Sequence, residues 1–171
     1  MKNVRIVASI LHYVSKAWAV FYFAIGMYAA GVLSVSQVAW LKMIPGDRFI
    51  ITLPFTDVPF LIGDYDATAI LLMGMAVLAY GIFAWLLSGV FQVFRQQKLF
   101  TRHGVQKLTT FYQTNLLVPP GLLVLSFFFF DEVQDLVNIT VLHGIIGVFA
   151  YFMASIFDQG VTLQDEQDFT L

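Results

Sequence analysis

Four apolar stretches dominate this chain: Trp18 to Val38, Thr68 to Phe94, Phe111 to Phe130 and Ile139 to Phe157. A hydrocarbon core about 30 Å thick needs about 20 helical residues per crossing, and each stretch meets that length. The fold class expected is therefore an all-α integral membrane protein, a bundle of four transmembrane helices forming one domain over residues 1–171. Composition agrees: 59% of residues are hydrophobic and 12% charged, with 18 Phe and a mean hydropathy of +0.80. Soluble domains hold roughly 45 to 50% apolar and about 25% charged residues. The chain has no Cys, which excludes disulfides, thiolate metal sites and Cys nucleophiles. Its net charge of −2 favours no nucleic-acid partner.

The basic residues set an orientation. Lys2, Arg5, Lys16, Arg95, Lys98, Arg102 and Lys107 fall on one side of the four spans, and only Lys42 and Arg48 on the other. The positive-inside rule then places both termini in the cytoplasm. Asp47, Asp57, Asp64, Asp66, Asp131, Glu132 and Asp135 gather on the outer side, several just ahead of helix starts, where carboxylates favour the positive end of the helix dipole. They read as caps and solubilising charges.

Ahead of the first span, Lys2, Arg5, Ser9, His12 and Lys16 recur at steps of three and four along one helix face. The same steps continue through Ala19, Phe23, Gly26 and Ala30, so a polar stripe turns into a small-residue seam that lets a neighbouring helix approach. Lys2 and Arg5 ahead of an apolar run resemble a signal peptide, but the run is too long and lacks a convincing cleavage site, so it reads as a retained helix. In the outer loop, Arg48 to Phe55 has the β-branched and aromatic content of a strand, and Pro45, Gly46, Pro54, Pro59 and Gly63 punctuate it. A short β-hairpin between the first two helices is expected there, with Trp40, Phe49, Phe55, Phe60 and Tyr65 as interfacial anchors.

The inner loop, residues 95–110, holds Leu99-Phe100-Thr101-Arg102-His103-Gly104-Val105. Thr101 is a natural N-cap for the third helix, with Phe100 and Val105 as a hydrophobic staple. Pro119-Pro120 should kink or break that helix. Gln113 and Asn115 sit in its apolar surroundings, where unpaired amides are costly, so both are expected to hydrogen-bond into the bundle. On the fourth helix, His143, Gly147, Ala150, Ala154 and Phe157 share a seam, with His143 near its outer end. His12 and His103 lie near the opposite surface, which argues against a bis-His haem. No metal-ligand spacing, Ser-His-Asp set, phosphate loop or HExxH motif occurs. Neither catalytic residues nor a cofactor is expected, and the chain reads as a non-enzyme.

Gly160 is expected to end the fourth helix, as glycine commonly does at C′. Residues 158–171 would then form an acidic tail with apolar anchors, facing either the basic inner loop of the same chain or a cytoplasmic partner.

Two sets of residues carry a family resemblance. Phe100-Thr101 followed by Val105 and Leu108, with the terminal Phe157-x-x-Gly160-Val161-x-Leu163-Gln164-x-Glu166-x-Asp168-Phe169-Thr170-Leu171, resembles the bacterial membrane family known as domain of unknown function 2975 (DUF2975). The resemblance implies a bacterial inner-membrane protein without assigned catalysis, in a family whose genes often neighbour a small helix-turn-helix regulator. It also implies that Phe100, Thr101, Gly160, Glu166 and Asp168 form a cytoplasmic signature.

Two functions are expected. One is a regulatory or scaffold protein docking a cytoplasmic partner, such as a helix-turn-helix regulator, through Arg95, Lys98, Phe100, Thr101, Arg102, Gly160, Glu166, Asp168 and Phe169. The alternative is a bundle that binds or transports a lipid or small hydrophobic solute through Gln113, Asn115 and His143. The small-residue seams also suit a homo-oligomer.

Overall fold

A computed structural model describes residues 2–35, 39–128 and 134–169, with residues 168 and 169 described by backbone alone. Among the described residues it contains four helices, α1 (Lys2–Ser34), α2 (Ala67–Arg95), α3 (Arg102–Ser126) and α4 (Gln134–Phe169), and three strands, β1 (Leu41–Ile44), β2 (Arg48–Thr52) and β3 (Pro59–Asp64). The chain divides into two compact units: Met1–Val14 with Leu86–Leu171, and Ser15–Trp85. The division falls within α1, after Val14, and within α2, after Trp85.

Local chemistry sets several helix boundaries. Asp66 caps α2, its Oδ2 accepting from the backbone N–H of Thr68 at 2.9 Å and of Ala69 at 3.1 Å. Thr101 caps α3 as expected, its backbone extended and its Oγ1 accepting from Gly104 N–H at 3.0 Å. Asp131 and Glu132, expected as caps for the last helix, lie outside the described residues. α3 continues through Pro119 and Pro120 without a break. One expectation fails: α4 does not stop at Gly160 but runs on to Phe169. Residues 158–169 of the expected acidic tail are therefore the last turns of a 36-residue helix.

Three of the helices, α1, α2 and α4, are long and apolar enough to cross a membrane. α3 falls short on composition, because Thr109, Thr110, Tyr112, Gln113, Thr114 and Asn115 crowd its first half and the two prolines its second.

In the unit Ser15–Trp85 the strands form an antiparallel sheet in the order β1-β2-β3. Leu41 pairs with Ile51 and Ile44 with Arg48 across the first hairpin. Its turn uses Gly46 at φ +88° and Asp47 at φ +52°, a left-handed backbone that glycine and aspartate accept most readily. Alternation along β2 turns Phe49 and Ile51 inward, both fully buried. They pack with Ala29 and Val32 of α1, and with Tyr28, Leu33, Ile70 and Met73 around them. Below the sheet, α1 and α2 meet through small residues: a Cβ on Gly81 would come within 2.8 Å of the Phe23 ring, and one on Gly26 within 3.4 Å of Val77. Lys16 lies over the Trp85 ring at 5.8 Å.

In the other unit, Val93, Leu108, Ala154 and Phe157 form the core, surrounded by Val90, Phe94, Leu99, Phe100, Val105, Tyr112 and Met153. The start of α1 joins it through His12. The Nδ1 of His12 lies 2.8 Å from the Ser88 carbonyl and 3.1 Å from its hydroxyl. A carbonyl only accepts, so Nδ1 carries the proton.

Candidate functional site

The residues singled out in the sequence separate into two groups in space. The first gathers where α2 ends, α3 begins and α4 passes by. Phe100 meets Phe157 edge-on at 5.2 Å, and Phe94 meets the same ring at 5.5 Å. Gly160 makes this possible: a Cβ there would fall 2.5 Å from the Phe100 ring, closer than any side chain tolerates. Glycine stands at 160 for this approach, and the backbone remains helical, which is why its usual stop signal is overridden. Phe100 and Gly160 are thus packed against each other, both half-buried.

Charge surrounds this aromatic knot. Arg102 Nη2 reaches Asp165 Oδ2 at 3.0 Å, the arginine side chain mostly exposed and the aspartate just under half exposed. Basic loop and acidic segment are therefore clasped within one chain. Arg95 lies over the Tyr13 ring at 5.0 Å and donates to its hydroxyl at 3.4 Å. Arg5 donates to the Gln97 carbonyl at 3.4 Å. Lys107, expected in a loop, stands in the second turn of α3 and donates to Gln92 Oε1 at 2.6 Å. Partial burial pushes its ammonium below the usual lysine range. Lys98 and Glu166 are exposed. Asp168 and Phe169 belong to α4, but their side chains lie outside the described residues.

The second group is the polar set on α3 and α4. Asn115 is 2% exposed and bridges two elements. Its Nδ2 donates to the Phe111 carbonyl at 2.8 Å, and its Oδ1 sits 2.7 Å from His143 Nδ1. With the amide nitrogen so engaged, Oδ1 accepts and His143 donates. Gly147 lies beside this pair, where a Cβ would fall 2.7 Å from Leu116 and 3.3 Å from Asn115 Cβ. Thr140 adds a second tie, its hydroxyl donating to the Pro119 carbonyl at 3.3 Å. Gln113 does not join them: it is exposed on the opposite face. Residues two apart on a helix do not share a face, so Asn115 and Gln113 could not both turn inward.

Asp165 was missed as a site residue, although its signal was present. Once α4 is allowed to continue, Phe157, Val161 and Asp165 follow at steps of four and share one face. The assumed stop at Gly160 hid that spacing. Among the described residues no buried side-chain nitrogen or oxygen lacks a hydrogen-bond partner.

These features define a helical protein with three membrane-length helices and a charged helical end tied back by an ion pair. No family model, no curated protein and no solved structure matches the chain.

Proposed function

We propose that this chain is a non-enzymatic protein of the bacterial inner membrane, with both termini in the cytoplasm, that docks a cytoplasmic protein on the charged end built by α2, α3 and α4. In this reading α3 is the fourth span, its polar first half sheltered where Asn115 meets His143. The observation that carries the docking role is the continuation of α4 past its apolar stretch as an ordered helix, from Asp158 to Phe169. A tail serving only to solubilise the protein needs no such order, whereas a helix locked by Phe100 on Gly160 presents charges in fixed places. The basic bias of the Arg95 to Lys107 segment supports the orientation. The resemblance to DUF2975 supports the bacterial setting and a helix-turn-helix regulator as partner. The solute-binding alternative has less behind it, since Asn115 and His143 bond to each other and Gln113 faces away.

The test is affinity purification from native membranes in mild detergent, comparing the whole chain with one ending after Val161. That truncation keeps the Gly160 contact and buried Val161, and removes Thr162 to Leu171. A protein recovered with the whole chain and lost from an equally monodisperse truncation supports docking. Recovery of the same proteins with both forms, or of none with either, refutes it.

A further inference from the structure

The loop between β2 and β3, residues 53–58, holds an apolar side chain out in the open at a backbone cost. Phe55 adopts φ +61°, the left-handed region that bulky side chains rarely enter, and it is 91% exposed. Strain of this kind persists only where the surroundings enforce it. Here they do. Leu53 N–H donates to the Val58 carbonyl at 3.0 Å and Thr56 N–H to the Leu53 carbonyl at 3.1 Å. The Thr56 hydroxyl also donates to Leu53 at 3.1 Å and accepts from Val58 N–H at 3.3 Å. Leu53 and Val58, flanking the tip, are exposed as well. The one charge in the loop, Asp57, is matched by Lys42 at 2.6 Å, so the tip carries no net charge.

The loop's depth is fixed by Tyr28. Its hydroxyl donates to the Thr52 carbonyl at 2.6 Å, and its ring lies 6.2 Å from Trp40 and 6.4 Å from Phe60. Trp40 in turn meets Phe55 edge-on at 5.5 Å. Tyr28 stands six residues before the end of α1, about 9 Å back along the helix axis, and helical side chains lean further toward the N-terminus. β2 therefore ends alongside the body of α1, and the loop that follows projects at the level of that membrane-length helix.

From these placements we infer that residues 53–58 form a lipid-dipping anchor, in which Phe55, flanked by Leu53, Val58 and Trp40, enters the interfacial layer of the bilayer around α1. Lipid is the occupant that fits: the tip is apolar and uncharged overall, and it stands beside a helix long enough to span. Aromatic side chains favour that depth. The Lys42–Asp57 pair would lie among the headgroups.

The inference rests on the membrane reading above, and one experiment separates the two. The chain has no Cys, so Phe55→Cys, Leu78→Cys and Asp47→Cys each give a single site for a nitroxide label in the full chain. Phe55 is almost fully exposed, and its replacement removes little packing. Leu78 is an exposed residue within α2, and Asp47 is in the β1–β2 turn. In vesicles of phosphatidylcholine and phosphatidylglycerol, collision rates with oxygen and with a water-soluble nickel chelate are compared. The expected result is a several-fold higher oxygen-to-nickel ratio at 55 than at 47, approaching that at 78. A ratio at 55 equal to that at 47, with 78 in lipid, overturns the anchor and leaves the membrane reading standing. A label at 78 open to nickel overturns both. A site reserved for a protein partner would leave 55 open to nickel in these protein-free vesicles, which is the overturning result.

Discussion

Gly160 shows how one missing methyl group can decide the course of a helix. Adding it as Gly160→Ala places a carbon 2.5 Å from the Phe100 ring, and overpacking of this kind costs about 1–3 kcal/mol. Unfolding by denaturant in detergent should show that loss, and Phe100→Leu in the same chain should recover part of it. Equal stability of the native chain and Gly160→Ala would mean that the ring does not lie where described. Asn115 makes a second case at this scale. Asn115→Leu removes the 2.7 Å contact with His143 Nδ1 and is expected to cost about 1–2 kcal/mol. If His143→Leu added to it costs a further full increment in a double-mutant cycle, the two side chains are not coupled. Sequence reasoning found Asn115 and His143 because buried amides and seam positions follow helical spacing. It misplaced Gln113 because need for a partner was weighed without its angular position. Gly160 was misread because a local rule about helix ends says nothing of an aromatic ring arriving from a residue sixty positions earlier.

Among the elements, α3 begins where the sequence indicated, since capping is decided by four neighbouring residues. The ends that depend on distant packing were less legible. The sheet lies between these cases: strand content around Arg48 to Phe55 is visible in composition, but β3, rich in turn-forming Pro59 and Gly63, joins only through its register with β2. Lys42 and Asp57 fasten β1 to the loop. The hydrogen bond from Lys42, and then its charge, hold the Asp57 carboxyl below its ordinary value of 3.8. A carboxyl lowered in the folded state stabilises the fold above its unfolded pKa and loses that contribution as pH falls through the lowered value. Amide exchange in β1 and in residues 53–58 should therefore be unaffected between pH 7 and 5, and quicken below about pH 4, once intrinsic rates are removed. Lys42→Met should abolish this acid sensitivity; a variant that keeps it would point to another carboxyl. At the other end, Arg102 and Asp165 form an exposed pair worth no more than about 1 kcal/mol. Reversing either charge should loosen the last turns of α4 in hydrogen exchange, and reversing both should restore them. A double reversal no better protected than the single ones would deny the clasp.

For the whole molecule, the balance of basic residues leads to a topology that labelling can check. With Cys introduced singly at Lys98 and at Asp47, an impermeant maleimide applied to intact cells should react at 47 alone, and at both after lysis. Labelling of 98 in intact cells would invert the proposed orientation. The hydropathy of α1, α2 and α4 made their apolar character plain from sequence, but not the length of α4, which continues past Gly160 to Phe169. α3 was harder, because its polar first half is compatible with a span only through contacts such as Asn115 with His143.

The unbroken course of α4 has a mechanical consequence. Thirty-six helical residues extend about 54 Å, and a hydrocarbon core takes up about 30 Å of that. A rod of this length rotates as one piece: a tilt of about 10° around its middle swings either end by about 5 Å. Thicker bilayers draw such a rod upright and thinner ones lay it over. On the proposed membrane reading, such a tilt would carry Asp165 and Glu166 with it and load their end of the helix against the Arg102 contact.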